Sequence, residues 1–146
     1  MNMQATRPRY ETQGDLSREA LFSRMASEKF NCTFMKMPIR YGLDFAAMRD
    51  GKVVAFVEMK VRTNPVQQYP TYMVALSKLM AARELTASAR VPSLLMVRWS
   101  DAWGQTDLSQ FIGDVSFGGR KDRDDWQDME PVCLIEMDRF KIYPDP

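Results

Sequence analysis

The sequence predicts an α/β or α+β domain with a mixed central β-sheet flanked by helices. Three observations carry that expectation. Residues Asp15 to Lys29 repeat apolar side chains at helical spacing. Two apolar, β-branched runs, Asp44 to Met48 and Val53 to Val61, flank the turn-forming Arg49-Asp50-Gly51. Val91 to Trp99 is a nearly unbroken apolar run, as expected of a strand buried on both faces.

Met1 to Gly14 is polar and reads as a flexible tail carrying Arg7 and Arg9. In the first helix Leu21, Phe22, Met25 and Ala26 make one apolar stripe, and Asp15 or Ser17 serves as N-cap. Glu19 and Glu28 flank that stripe on opposite sides, and periodicity does not choose between them. Asn31 to Met37 follows as a strand ended by Pro38, and Ile39 to Gly42 leads into the hairpin. If Arg49-Asp50-Gly51 forms a type I turn closed by a Gly51 bulge, Met48 faces Lys52, Asp44 faces Phe56, and Asp44 is diagonal to Glu58. A two-residue Asp50-Gly51 turn would instead pair Asp44 with Val57 and turn its carboxylate to the other face. Strand alternation puts Val54, Phe56, Glu58 and Lys60 on one face and Val53, Ala55, Val57 and Met59 on the other.

Asn64-Pro65 and Tyr69-Pro70 break the chain before a second helix, about Thr71 to Ser88, with Met73, Leu76 and Met80 as its stripe. Trp99 closes the buried strand as a core residue, while Trp103 is a candidate contact surface. Asp107 to Phe111 reads as a short helix, Val115 to Phe117 as a short strand and Arg120 to Asp128 as a charged loop. Val132 to Tyr143 reads as an edge strand or a dimer interface. At 146 residues the chain makes one domain, divided into a core at 15–101 and an acidic extension at 102–146.

An apolar strand that offers Glu58 and Lys60 on one face calls for an explanation, because an unpaired buried charge costs several kcal/mol, on the order of the usual estimates. Asp44 at the other end of the hairpin adds a second carboxylate. With Asp44 entering the second strand, Glu58-Met59-Lys60 ending the third and a helix next, the order helix, three strands, helix, strand resembles the PD-(D/E)XK nuclease superfamily over about residues 15–101. Leu43 stands where the family's name has Pro. The resemblance implies an αβββαβ restriction-endonuclease-like core and a nuclease that uses magnesium or manganese to hydrolyse phosphodiester bonds. It makes Asp44 and Glu58 metal ligands, the Met59 backbone carbonyl a third ligand, and Lys60 the partner of the attacking water. A further Glu from the first helix is implied, and Glu19, in its first turn, fits that place better than Glu28. The alternative is a nuclease-fold module without activity that binds nucleic acid or a protein.

Elementary chemistry agrees with these residue types. Magnesium takes oxygen ligands and is usually held by one or two carboxylates with water completing its shell. An ammonium beside the pair can orient or deprotonate a water. The absence of His excludes Ser-His-Asp and Cys-His catalysis, HExxH zinc sites and His-based nuclease motifs. Cys32 and Cys133 lack CxxC spacing and read as reduced core thiols of a cytoplasmic protein, and neither GxxxxGK[ST] nor GxGxxG occurs.

Net charge is only +1, but it is unevenly placed. Asp15 to Arg98 holds 13 Lys and Arg against 7 Asp and Glu, a net +6, while Trp99 to Pro146 holds 5 against 11, a net −6. The candidate catalytic core is basic, with Lys36, Arg40, Arg62 and Lys78 among the cations available to phosphates. Arg62, Gln68, Tyr72 and Lys78 are the candidate nucleic-acid contacts, the amide and phenol for sugar or bases. The expected partner is nucleic acid, DNA ahead of RNA, with a homodimer possible. No stretch approaches a membrane span, and the first 14 residues are too polar for a signal peptide.

Overall fold

The computed structural model describes residues 13–111, 113, 115–118 and 130–144. Of the tail expected at 1–14, residues 1–12 lie outside the described residues while Gln13 and Gly14 are helical, which corrects its boundary; the charged loop at 120–128 also lies outside the described residues. The chain opens with α1 (Gln13–Phe30), then β1 (Thr33–Lys36), a 3₁₀ turn (Ile39–Tyr41), β2 (Phe45–Arg49) and β3 (Lys52–Val61). β4 (Thr71–Ala75), α2 (Leu76–Ala89), β5 (Ser93–Arg98) and β6 (Ala102–Asp107) follow. A 3₁₀ turn (Leu108–Gln110), β7 (Val115–Gly118), β8 (Glu130–Glu136), a 3₁₀ turn (Met137–Arg139) and β9 (Lys141–Pro144) complete it. Six strands form a mixed sheet in the order β1-β2-β3-β5-β6-β9, and β4-β8-β7 form a second, smaller one. Among the described strands only β3 and β5 run parallel, and a parallel pair needs a crossover, which β4 and α2 supply.

The large sheet has a core on each face. On one, Phe22 and Ala26 of α1 pack against Ala47, Ala55, Val57, Met59, Met96 and Trp103. On the other, Phe56, Leu95 and Val97 meet Leu79 and Ala82 of α2 and Tyr72, Val74 and Ile135 of the smaller sheet. β5 is buried on both sides because it runs between these cores, as its apolar run predicts.

Four expectations are corrected at this level. First, α1 starts at Gln13, so Asp15 and Ser17 lie inside it instead of capping it. Its stripe is narrower than expected, since Leu21 is 67% exposed while Phe22 and Ala26 are buried; a helix on a sheet buries only the side chains one turn apart that point straight down. Second, Thr71–Ala75 is strand, not helix. Tyr72 and Val74 are buried and alternate with more exposed neighbours, the two-residue period of a strand in β-branched and aromatic residues. The face of α2 shifts accordingly: Leu79 and Ala82 are buried, while Met73 and Met80 are exposed.

Third, Trp103 is core. It is 2% exposed in β6, stacks on Tyr143 at 4.6 Å and meets Phe22 and Phe30 edge-on at 5.9 and 5.7 Å. β9 lies so close over Gly104 that an added Cβ would stand 2.7 Å from the Lys141 carbonyl oxygen, a close approach that glycine permits. Fourth, Val132 to Tyr143 is two strands in different sheets: β8 lies in the middle of the smaller sheet and β9 at the edge of the large one. Both cysteines are free thiols, raised by burial, and no described helix is long and apolar enough to cross a membrane.

The hairpin turn also differs from expectation, in a way that decides the site. Arg49 pairs with Lys52, so Asp50-Gly51 is a two-residue turn, with φ of +52° and +74°. A β-bulge then shifts the register: Met48 pairs with Val53 but Ala47 with Ala55, leaving Val54 as the extra residue. Past the bulge Ala46 pairs with Phe56 and Phe45 with Val57, so the next position sets Asp44 opposite Glu58. The turn alone would have misdirected Asp44; the bulge restores it. It also moves Val54 to the α1 face, beside Ala55, while Val53 joins the other core. Nothing stands within 4 Å of a Cβ added at Gly51, so Gly51→Ala isolates the backbone penalty of a positive φ. Urea unfolding is expected to report a loss of about 1 kcal/mol.

Candidate active site

Glu58 lies on the face of β3 that looks toward α2, and its residue exposure is 1%. One carboxylate oxygen, Oε2, is shared by two ammonium groups: Lys60 Nζ at 3.5 Å and Lys78 Nζ at 3.4 Å. The other, Oε1, is buried with no hydrogen-bond partner among the described residues. Burial pushes the Glu58 carboxyl above the usual range, Lys60 opposes this, Asp44 adds to it and Lys78 opposes it.

Asp44 immediately precedes β2. Its Oδ2 accepts a hydrogen bond from the Met59 backbone N–H at 3.3 Å, standing in for a strand partner, and its Oδ1 lies 3.7 Å from Lys36 Nζ. Since N–H and C=O of one strand residue point to the same side, the Met59 carbonyl also faces the Asp44 edge. A cavity of about 280 Å³ there is lined by Glu19, Ser23, Lys36, Asp44, Met59 and Lys60. A second cavity, of about 240 Å³, is lined by Glu58, Lys60, Arg62, Tyr72, Lys78 and Glu130 among others. Lys60, 42% exposed at its side chain, borders both.

The structure therefore brings Asp44, Glu58, Lys60 and the Met59 backbone together, with Glu19 on the wall beside Asp44. Glu28 lines neither cavity. Among the described residues no three Asp, Glu, His or Cys side chains converge as a metal-holding group. Two carboxylates and a carbonyl still fit a magnesium ion, which keeps several waters, and the bare, buried Glu58 Oε1 is the atom such an ion would satisfy.

The four candidate nucleic-acid contacts separate. Arg62 follows β3, is exposed, and its guanidinium lies 5.3 Å from the Tyr72 ring centre. Gln68 is on an exposed loop, donates to the Tyr69 hydroxyl and lines neither cavity. Tyr72 is not on that loop: it is 8% exposed in β4, and burial pushes its phenol up to about 12 against the opposing charge of Arg62. That burial leaves little of the Tyr72 ring open to a base. Lys78 points into the site instead of outward. Lys36, read from sequence as one cation among many, lies beside Asp44; its place at the end of β1, next to the hairpin that carries Asp44, was the available signal.

A model of the family described as phage putative PDDEXK endonuclease matches residues 5–143. No curated protein matches the sequence. Among solved structures, the fold is similar to Hjc, a Holliday junction resolvase from the archaeal hyperthermophile Archaeoglobus fulgidus. That match has 9% sequence identity, covers 82% of each chain and has a TM-score of 0.53.

Proposed function

The chain belongs to the phage putative PDDEXK endonuclease family, and we propose that within it the protein is a metal-dependent nuclease that hydrolyses phosphodiester bonds of DNA. The observation that carries this reading is the register that sets Asp44 opposite Glu58 and leaves Glu58 Oε1 buried and bare. DNA is preferred over RNA because the structural neighbour is a Holliday junction resolvase.

In this reading Asp44 and Glu58 hold magnesium or manganese, with the Met59 carbonyl as third ligand and Glu19 assisting from α1. Bound there, the ion would acidify a water and neutralise charge on a phosphate. Lys60, between the two cavities, orients the attacking water by donating a hydrogen bond to it. Arg62, exposed at the rim of the Glu58 cavity, meets a phosphate of the substrate strand. Residues 15–146 act as one unit, since β6 and β9 extend the large sheet and β7 and β8 pair with β4.

Metal binding tests the reading without a substrate. Magnesium or manganese at about a hundred times its dissociation constant should stabilise the folded protein by about 2.7 kcal/mol, read as a rise in melting temperature. Asp44→Ala should lose that rise. Equal melting temperatures with and without metal in the wild type would sink the proposed ligand set.

A further inference from the structure

Lys78 reaches from the first turn of α2 to two places at once. Its Nζ donates to the Gly42 backbone carbonyl at 2.7 Å and stands 3.4 Å from Glu58 Oε2, with its side chain two-thirds buried. Gly42 lies two residues before Asp44. It has φ of +84°, and a Cβ there would stand 2.6 Å from the Ala81 Cβ, one turn along α2 from Lys78. Leu43, between Gly42 and Asp44, is 2% exposed. The segment entering Asp44 is thus pressed onto α2 by a left-handed glycine and a buried leucine, and tied to it by one ammonium.

We infer that Lys78 is a positioning residue of the active site: it fixes the spacing of Asp44 and Glu58 by bridging the Gly42 carbonyl to the Glu58 carboxylate. Two consequences follow from the geometry. By holding Oε2 together with Lys60, Lys78 sets the rotamer that leaves Oε1 bare for a ligand. By holding Gly42, it restrains the backbone before Asp44, where Leu43 replaces the proline of the motif and leaves φ unlocked. An ammonium suits the task because it donates in three directions, to a carbonyl and a carboxylate together. A phosphate contact would require Lys78 to leave both partners, whereas Arg62 already offers an exposed cation at the same rim.

This inference rests on the proposed nuclease reading, so the experiment has a limb that does not need cleavage. Lys78→Met keeps the aliphatic volume and removes the bridge; Lys78→Arg retains a donor and serves as the conservative comparison. For Lys78→Met the expected results are a fall in kcat of about 10- to 100-fold, the range for residues that orient metal ligands, with KM and metal-free DNA affinity unchanged. Lys78→Arg should recover part of the loss. In the metal-free protein, manganese affinity should fall by a similar factor. Exchange of the Met37 amide, which donates to the Asp44 carbonyl at 2.8 Å, should accelerate while the amides of β5 keep their protection. The inference is overturned if Lys78→Met weakens DNA binding and flattens its salt dependence with kcat intact, which marks a phosphate contact. It is equally overturned if manganese affinity and Met37 exchange match the wild type. A wild type that cleaves nothing would defeat the nuclease reading alone, and the manganese and exchange results would still decide the role of Lys78.

Discussion

Glu58→Gln is expected to lower cleavage by about 10²- to 10³-fold, the scale for removing a principal electrostatic group, while making the metal-free protein more stable. The two effects share one cause. A carboxylate with 1% residue exposure is held in its charged form at a cost, and its two ammonium partners, both partly exposed, offset only part of it. The amide keeps the shape and removes the buried charge, so Glu58→Gln should be more stable than the wild type at neutral pH. The pH dependence follows with its sign. Between the ordinary carboxyl value of 4.5 and the raised folded value, the native state binds more protons than the unfolded state, so stability falls as pH rises through that window. Above the folded value the penalty is complete and constant. Denaturation of wild type and Glu58→Gln across that range should give curves that approach each other toward low pH. A variant less stable than the wild type at neutral pH would mean that the ion pairs outweigh the burial.

Trp103→Ala is expected to be the most destabilising single change outside the site, at about 4 kcal/mol. The indole is 2% exposed and joins its own strand β6 to two other elements: Phe22 and Phe30 from α1 and Tyr143 from β9. Its removal opens a cavity between the helix and the sheet and takes away several aromatic contacts, each worth about 1 kcal/mol beyond area. Because β9 is an edge strand, its amides should lose protection first. A loss below about 1 kcal/mol would show that α1 closes over the gap.

Strands β1, β2, β3 and β5 of the large sheet were legible because they are written in single-residue chemistry: a β-branched motif strand, an apolar run buried on both faces, and turn residues between them. The smaller sheet was not, since Thr71–Ala75 carries methionine and alanine that fit a helix as well as a strand, and its partner β8 lies some sixty residues away. β6 was hidden by Gly104 and Gln105, which look like loop until β9 is placed against them. Within the site, Asp44, Glu58 and Lys60 were legible as a group although the turn joining them was misjudged. The two-residue turn and the bulge at Val54 each change the strand parity, and together they cancel. The place of Lys78 beside Glu58 was not legible because the expected stripe of Met73, Leu76 and Met80 set it away from the sheet, whereas Leu79 and Ala82 are the buried residues of α2.

The most direct test of the central claim is cleavage of a panel of single-stranded, duplex and branched DNA and RNA with magnesium or manganese, comparing wild type with Lys60→Ala. Products that require metal, arise from DNA and vanish in Lys60→Ala are the predicted result. Binding of the same substrates without cleavage, equal in both proteins, would contradict it and leave Asp44, Glu58 and Lys60 as a structural charge cluster in a binding module.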